Sequence, residues 1–253
     1  VKDGRRILAC LALAAGTMSC IELSVDPELL SSIEFVAPTS PSIVAGDVLR
    51  DTLGVPEPLR ARAFAADGDE LPDLPLTFVA TDSLVSIVSG NQVRAGTVLG
   101  VARLYVSVPG LQSAPRSLDV IRKPDSIAAN GQAVDTTQVT LPASGSRVDS
   151  TTTVGVVVRA GSVPVNAVRV KFEIVRNGTV LAPTDTARYA LAGPTGRISV
   201  VDTTDASGIA SRTLRVRVTA GTSPTDSLEV RATATGLPSP LVRSLSILVR
   251  PAQ

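Results

Sequence analysis

Val168-Arg169-Val170-Lys171-Phe172-Glu173-Ile174 decides how this chain is read. Apolar residues take every even position and charged residues every odd one. That period of two puts one side of an extended strand on a core and the other in water, whereas a helix would scatter the same residues around its circumference. The pattern recurs toward the C-terminus, where Leu214, Val216 and Val218 alternate with Arg215 and Arg217. Leu228, Val230, Ala232 and Ala234 alternate with Glu229, Arg231 and Thr233. Toward the N-terminus it returns as Leu59, Ala61 and Ala63 against Arg60, Arg62 and Phe64, and as Leu104, Val106 and Val108 against Arg103, Tyr105 and Ser107. Turn formers separate these runs: Asp67-Gly68, Ser89-Gly90-Asn91, Pro109-Gly110, Ala160-Gly161, Asn177-Gly178, Ser207-Gly208 and Gly236-Leu237-Pro238. Many short strands divided by turns predict an all-β protein made of antiparallel β-sandwiches.

With 253 residues, 44% of them hydrophobic and 19% charged, the chain is too apolar to be disordered and long enough for two domains. The boundary is expected where the strand-like Ser117–Ile121 runs into Arg122-Lys123-Pro124-Asp125, because proline interrupts a strand. Residues 32–122 and 123–250 are the expected tandem domains. The 24 basic and 23 acidic residues are dispersed, with no basic run able to neutralise a phosphate backbone, so nucleic acid is not an expected partner.

The absence of histidine excludes Ser-His-Asp and Cys-His catalytic units, and a zinc site would have only carboxylates and cysteine to draw on. A Ser-Lys arrangement would need Lys123, at the domain junction, or Lys171, on the wet face of its strand. Asp67-Gly68-Asp69-Glu70 lacks the spacing of an EF-hand loop and reads as a hairpin turn. Asp202, Asp205 and Asp226 are expected to serve turns and caps. Asp82 with Asp69 or Asp73 has nothing to fix the separation that a glycosidase pair requires. Asn177-Gly178-Thr179 matches a glycosylation sequon but reads as hairpin chemistry. No catalytic residue, metal ligand or cofactor is therefore assigned. With four Phe, two Tyr and no Trp, a ligand platform for stacking sugars would have to use Tyr105 and Tyr189.

Lys2, Arg5 and Arg6 precede the apolar run Ile7–Met18, which is shorter than the roughly 20 residues of a membrane-spanning helix and has the layout of a secretory signal. The run closes in Thr17-Met18-Ser19-Cys20, which resembles a bacterial lipoprotein lipobox. That resemblance implies cleavage after residue 19 and lipidation of Cys20, anchoring the chain to a membrane. Residues 1–19 are then a signal peptide and 20–31 a tether, with Pro27 and no sustained periodicity. Loss of Cys10 with the signal leaves Cys20 without an intramolecular disulfide partner.

Residues 151–235 resemble the bacterial immunoglobulin-like domains of the invasin/intimin group. The likeness lies in Gly161–Phe172, in Thr204-Asp205-Ala206-Ser207-Gly208, and in Leu228-Glu229-Val230-Arg231-Ala232-Thr233-Ala234-Thr235-Gly236. Residues 32–121 resemble a more divergent bacterial immunoglobulin-like domain through Ile43–Asp47, Ala63–Gly68, Leu76–Asp82 and Val101–Val108. There Arg50–Pro58 is an insertion, and the family's tryptophan near Phe78 is missing. The resemblance implies two tandem immunoglobulin-like antiparallel β-sandwiches. Their expected role is a non-catalytic spacer, adhesion or interaction module in a bacterial envelope, on the outer membrane or cell surface, otherwise secreted or periplasmic. The expected partner is a protein or glycan at the cell surface. The alternatives are a polysaccharide-binding accessory module and a subunit of a surface fibre.

Overall fold

A computed structural model describes residues 30–221 and 223–252. The signal peptide, Cys20 and all but the last two residues of the tether lie outside the described residues. The first strand opens at Leu30, two residues before the expected start of the first domain at residue 32.

The N-terminal half carries β1 (Leu30–Val36), β2 (Ser42–Val44), β3 (Arg60–Ala65), β4 (Thr77–Ala80), β5 (Val85–Val88), β6 (Gln92–Ala95), β7 (Gly100–Val108), β8 (Leu111–Gln112) and β9 (Arg116–Ile121). The C-terminal half carries β10 (Ser126–Ala129), β11 (Val134–Val139), β12 (Arg147–Ala160), β13 (Val163–Pro164), β14 (Arg169–Arg176), β15 (Thr179–Val180), β16 (Tyr189–Ala192), β17 (Val201–Thr203), β18 (Ile209–Thr219), β19 (Asp226–Thr235) and β20 (Leu241–Pro251). Among the described residues, no ladder joins a strand of one half to a strand of the other.

In the C-terminal half one sheet runs β10-β12-β18-β16 and the facing sheet β11-β20-β19-β14-β15, with β13 added to β12 and β17 to β14. This is the A-B-E-D and G-F-C arrangement of an immunoglobulin sandwich. Val170, Phe172 and Ile174 of β14 face Val154, Val156 and Val158 of β12 and Leu214 and Val216 of β18 across the core. Phe172 pairs with Ala232 and Val170 with Ala234, so the largest core side chains lie beside small ones within the sheet. Lys171 and Glu173 emerge on the wet face and pair with each other at 2.6 Å.

The N-terminal half repeats the plan with one defect. Its sheet β2-β9-β7-β4 shares a core with two separate ladders, β1-β3 and β5-β6. In an unbroken sandwich β3 would pair with β6. Here an isolated bridge between Pro58 and Gln92, with the Leu59 N–H donating to the Asn91 carbonyl, stands where that ladder would begin, and the Asp47–Leu49 segment bonds to Val93 and Ala95 of β6 instead. Phe35 and Phe78 meet edge to face at 5.7 Å in this core, which has no tryptophan.

Two ladders are parallel rather than antiparallel: β2 with β9, and β11 with β20. Each sets an early strand beside the last strand of the same half. The chain between them supplies the long connection that parallel neighbours need.

The halves meet through a buried joint. Val44 and Ile121, from adjacent strands of the N-terminal half, pack into the core of the C-terminal half. The Arg169 guanidinium donates to the Thr39 carbonyl at 2.7 Å. Gly236 is buried at φ +75°, and a Cβ on it would stand 2.5 Å from the Ser40 hydroxyl. The inserted Arg50–Pro58 loop reaches the same turn, with Gly54 against the Leu237 carbonyl. Arg50 holds that loop by bonding the Asp47 carboxylate at 2.9 Å and the Gly54 carbonyl at 2.8 Å.

Candidate functional site

The motif residues Thr204–Gly208 are structural pegs. The buried Thr204 hydroxyl accepts from the Val168 N–H at 2.9 Å and donates to the Val165 carbonyl at 2.8 Å. The Asp205 carboxylate accepts from the N–H groups of Ser207 and Ile209 and closes the turn, which is its expected role. Gly208 has φ +73°, and a Cβ there would come within 2.6 Å of the Val158 carbonyl, so the turn admits no side chain at that position.

Tyr105 and Tyr189 are not brought together. Tyr105 is half-buried on β7, opposite Val79 of β4 in the N-terminal half. Tyr189 is 3% exposed, so its ring cannot serve as a sugar-stacking platform. β16 lies flat against the core with all four residues buried, and this turns the ring between the two sheets rather than out to water. Its hydroxyl donates to the Asp226 carboxylate at 2.5 Å, tying the sheet of β16 to that of β19. The Arg188 and Arg176 guanidiniums lie 5.2 and 5.9 Å from its ring centre. Arg176 and Arg188 also approach Asp226 at 2.9 and 3.6 Å.

Burial pushes the Tyr189 phenol well above its ordinary range, reinforced by its hydrogen bond to Asp226. Burial alone would raise the Asp226 carboxyl too. The Tyr189 hydroxyl, the Ser227 N–H and the Arg176 guanidinium outweigh it and hold the group below the usual range. The cluster ties the start of β16 to the start of β19 across the two sheets.

Asp202 and Asp226 sit in strands and form ion pairs, Asp202 across the sheets and Asp226 with Arg176 of the neighbouring strand, which corrects the expectation of turn and cap roles. Asp202 of β17 pairs with Arg212 of β18 at 3.0 Å and accepts from the Ser211 N–H at 2.8 Å. Arg212 is 6% exposed, because it occupies the core-facing parity of β18 with Ala210 and Leu214. A charged residue in that register was the available sequence signal for this buried pair. The Asp67 carboxylate accepts from the Asp69 N–H within its turn. The two oxygens of Asp82 accept from the N–H groups of Leu84 and Arg103. Among the described residues, no group of three or more acidic, histidine or cysteine side chains is placed to hold a metal ion.

One concavity lies at the joint. A groove of about 250 Å³ is bounded by Leu99 and Val101 at the start of β7, Asp119 and Arg122 at the end of β9, and Pro164 and Asn166 of the C-terminal half. Asp119 stands across from Val101 on the face directed away from the N-terminal core. Burial raises its carboxyl above the ordinary value. The sequence could not reveal this site, because Asp119 and Pro164 are far apart along the chain.

No family model matches the sequence, and no curated protein matches it. Among solved structures, the Yersinia pseudotuberculosis adhesin InvE is similar at 18% identity with a TM-score of 0.32, over 87% of this chain and 60% of that one. The N-terminal four Ig domains of Dscam1 isoform 9.44 align at 10% identity with a TM-score of 0.31, over 87% of this chain and 52% of that one. The endo-fucoidan hydrolase MfFcnA9, from glycoside hydrolase family 107, aligns at 11% identity with a TM-score of 0.30, over 85% of this chain and 33% of that one. The chain thus spans three fifths or less of these proteins, and the likenesses assign no site residue.

Proposed function

We propose that the chain is a non-catalytic module of a bacterial cell envelope. In this reading, two tandem immunoglobulin-like sandwiches, residues 32–122 and 123–250, are lipid-anchored through Cys20 and act as a spacer and interaction element. The observation that carries the reading is the joint. A brace in which Val44 and Ile121 enter the neighbouring core, and Arg169 bonds Thr39, suits a part that holds something at a fixed distance from a membrane. Kinship of the second sandwich with the invasin/intimin group is supported by Thr204, Asp205 and Gly208, whose packing accounts for the residues of that motif.

The non-catalytic reading draws on a sequence without histidine and on carboxylates at Asp82, Asp202, Asp205 and Asp226 already engaged in structural bonds. The polysaccharide-binding alternative loses half of its proposed platform with the burial of Tyr189. Protease treatment of intact producing cells tests the location. Release of peptides from residues 32–250 while the cells stay sealed is the expected result. Protection of a membrane-bound protein would refute surface display.

A further inference from the structure

The joint groove combines features that neither sandwich core shares. Its lining is mixed: Leu99 and Val101, 40% and 53% exposed, supply apolar surface, and Asp119, Arg122 and Asn166 supply polar groups. Among the described residues no hydrogen bond or ion pair engages the Asp119 carboxylate; the Asp119 backbone pairs with Ser42 and Val101, and its N–H donates to the Pro41 carbonyl at 3.1 Å. Arg122 lines the groove but is exposed and forms no ion pair with Asp119, whose carboxyl burial pushes above its ordinary value. Asp47, by contrast, is partly buried yet held below the ordinary range, because Arg50 and the Val48 N–H offset its burial. Asp119 is thus a partly desolvated carboxylate with its electrostatic partner missing.

A volume of about 250 Å³ falls below the roughly 300–1,000 Å³ of small-molecule sites and suits one long side chain. Lysine and arginine lay an aliphatic stem on apolar surface and carry a cation at the tip. Val98 and Val163, both exposed, neighbour the lining residues Leu99 and Pro164 along the chain.

We propose that this groove binds an extended segment of a partner protein, with a lysine or arginine on Asp119 and flanking aliphatic residues on Leu99 and Val101. The inference rests on the reading of the chain as an interaction module and names the chemistry of its partner.

The test titrates the full chain with acetylated, amidated tripeptides of sequence Leu-Arg-Leu, Leu-Lys-Leu and Leu-Gln-Leu, following backbone amide shifts by NMR. The two basic peptides should shift Val101, Val120 and Asn166 saturably, and the glutamine peptide should bind about tenfold or more weakly. Asp119→Asn should abolish that difference, while Arg122→Gln should preserve or enlarge it. Equal binding of all three peptides, a preference that survives Asp119→Asn, or no saturable shift would overturn the proposal. Free arginine binding as tightly as Leu-Arg-Leu would overturn the polypeptide part and leave a small-cation site. Asp119-dependent self-association in sedimentation would overturn the foreign partner in favour of a second copy. A failed titration with the domains exposed on cells refutes the groove and spares the module. Protection from protease refutes surface display and leaves the titration standing.

Discussion

Replacing Ile121 by alanine tests whether the joint is part of the C-terminal core. Ile121 is 3% exposed at the end of β9, beside Val44, and its side chain packs with the hydrophobic cluster of the C-terminal half. Truncating a buried isoleucine to alanine costs about 2–5 kcal/mol from lost burial plus the cavity left behind. The lower end applies here, since a site bordering a groove collapses more easily than one deep within a sandwich. At 1.4 kcal/mol per factor of ten, about 2 kcal/mol lowers the equilibrium protection of dependent amides by more than tenfold. Hydrogen exchange read by mass spectrometry should find the loss in peptides spanning Val216 and Val230 as well as in those spanning Leu118 and Val120. Leu104→Ala is the control. That side chain is buried in the N-terminal core, and its loss should expose Val106 and Val93 before it touches Val230. Unchanged protection around Val216 and Val230 in Ile121→Ala, with loss confined to the N-terminal half, would refute the account of the joint.

Val170→Asp places a carboxylate at a fully buried position of β14 and should cost several kcal/mol, enough to unfold the C-terminal half. Lys171→Asp, one residue away on the wet face, exchanges a surface pair with Glu173 for a solvent-screened like-charge contact and should shift the melting temperature slightly; equal shifts in calorimetry would contradict the register. Gly236→Ala forces a Cβ toward Ser40 at a positive φ and should destabilise by about 1–3 kcal/mol, read as a lower denaturation midpoint; an unchanged midpoint would mean the turn is not clamped. Asp226 has a depressed carboxyl, so its stabilising contribution is complete above the unfolded value of about 3.9 and is lost as pH falls through the lower folded value. Asp226→Asn should therefore reduce stability at neutral pH and flatten the acid limb of a stability profile; an unaltered limb would remove Asp226 from the acid response.

What the sequence disclosed depended on whether a residue's role was local. The dry parity of Val168–Ile174, Leu214–Val218 and Leu228–Ala234 follows from period alone, and all of those apolar side chains are buried. Asn177-Gly178 forms the predicted two-residue hairpin, with Arg176 opposite Thr179. The first half of β12 is different. Arg147–Thr153 has one aliphatic residue and no buried position, and becomes a strand because β18 offers it a partner from Thr213 to Thr219. Tyr189 illustrates the same limit from the functional side. As one of two tyrosines in a chain poor in aromatics it invites a platform role, yet the all-buried β16 and the Asp226 acceptor determine where the ring goes.

Arg212 and Asp119 separate a structural charge from a candidate binding one. Both carry charge where water is partly or wholly excluded, which is costly unless a partner offsets it. Arg212 has that partner in Asp202, contributed by the opposite sheet, so the pair stitches β17 to β18 and asks nothing of an outside ligand. Among the described residues Asp119 has no counterpart, although Arg122 is near enough to line the same groove. If Asp119 served only the fold, its neutral isostere should serve better. At neutral pH, Asp119→Asn removes the burial cost of a charge with no ion pair to lose, so stability should hold or rise. A marked loss of stability in that variant would mean that the carboxylate is bonded after all, and the groove would then have no reason to attract a cation.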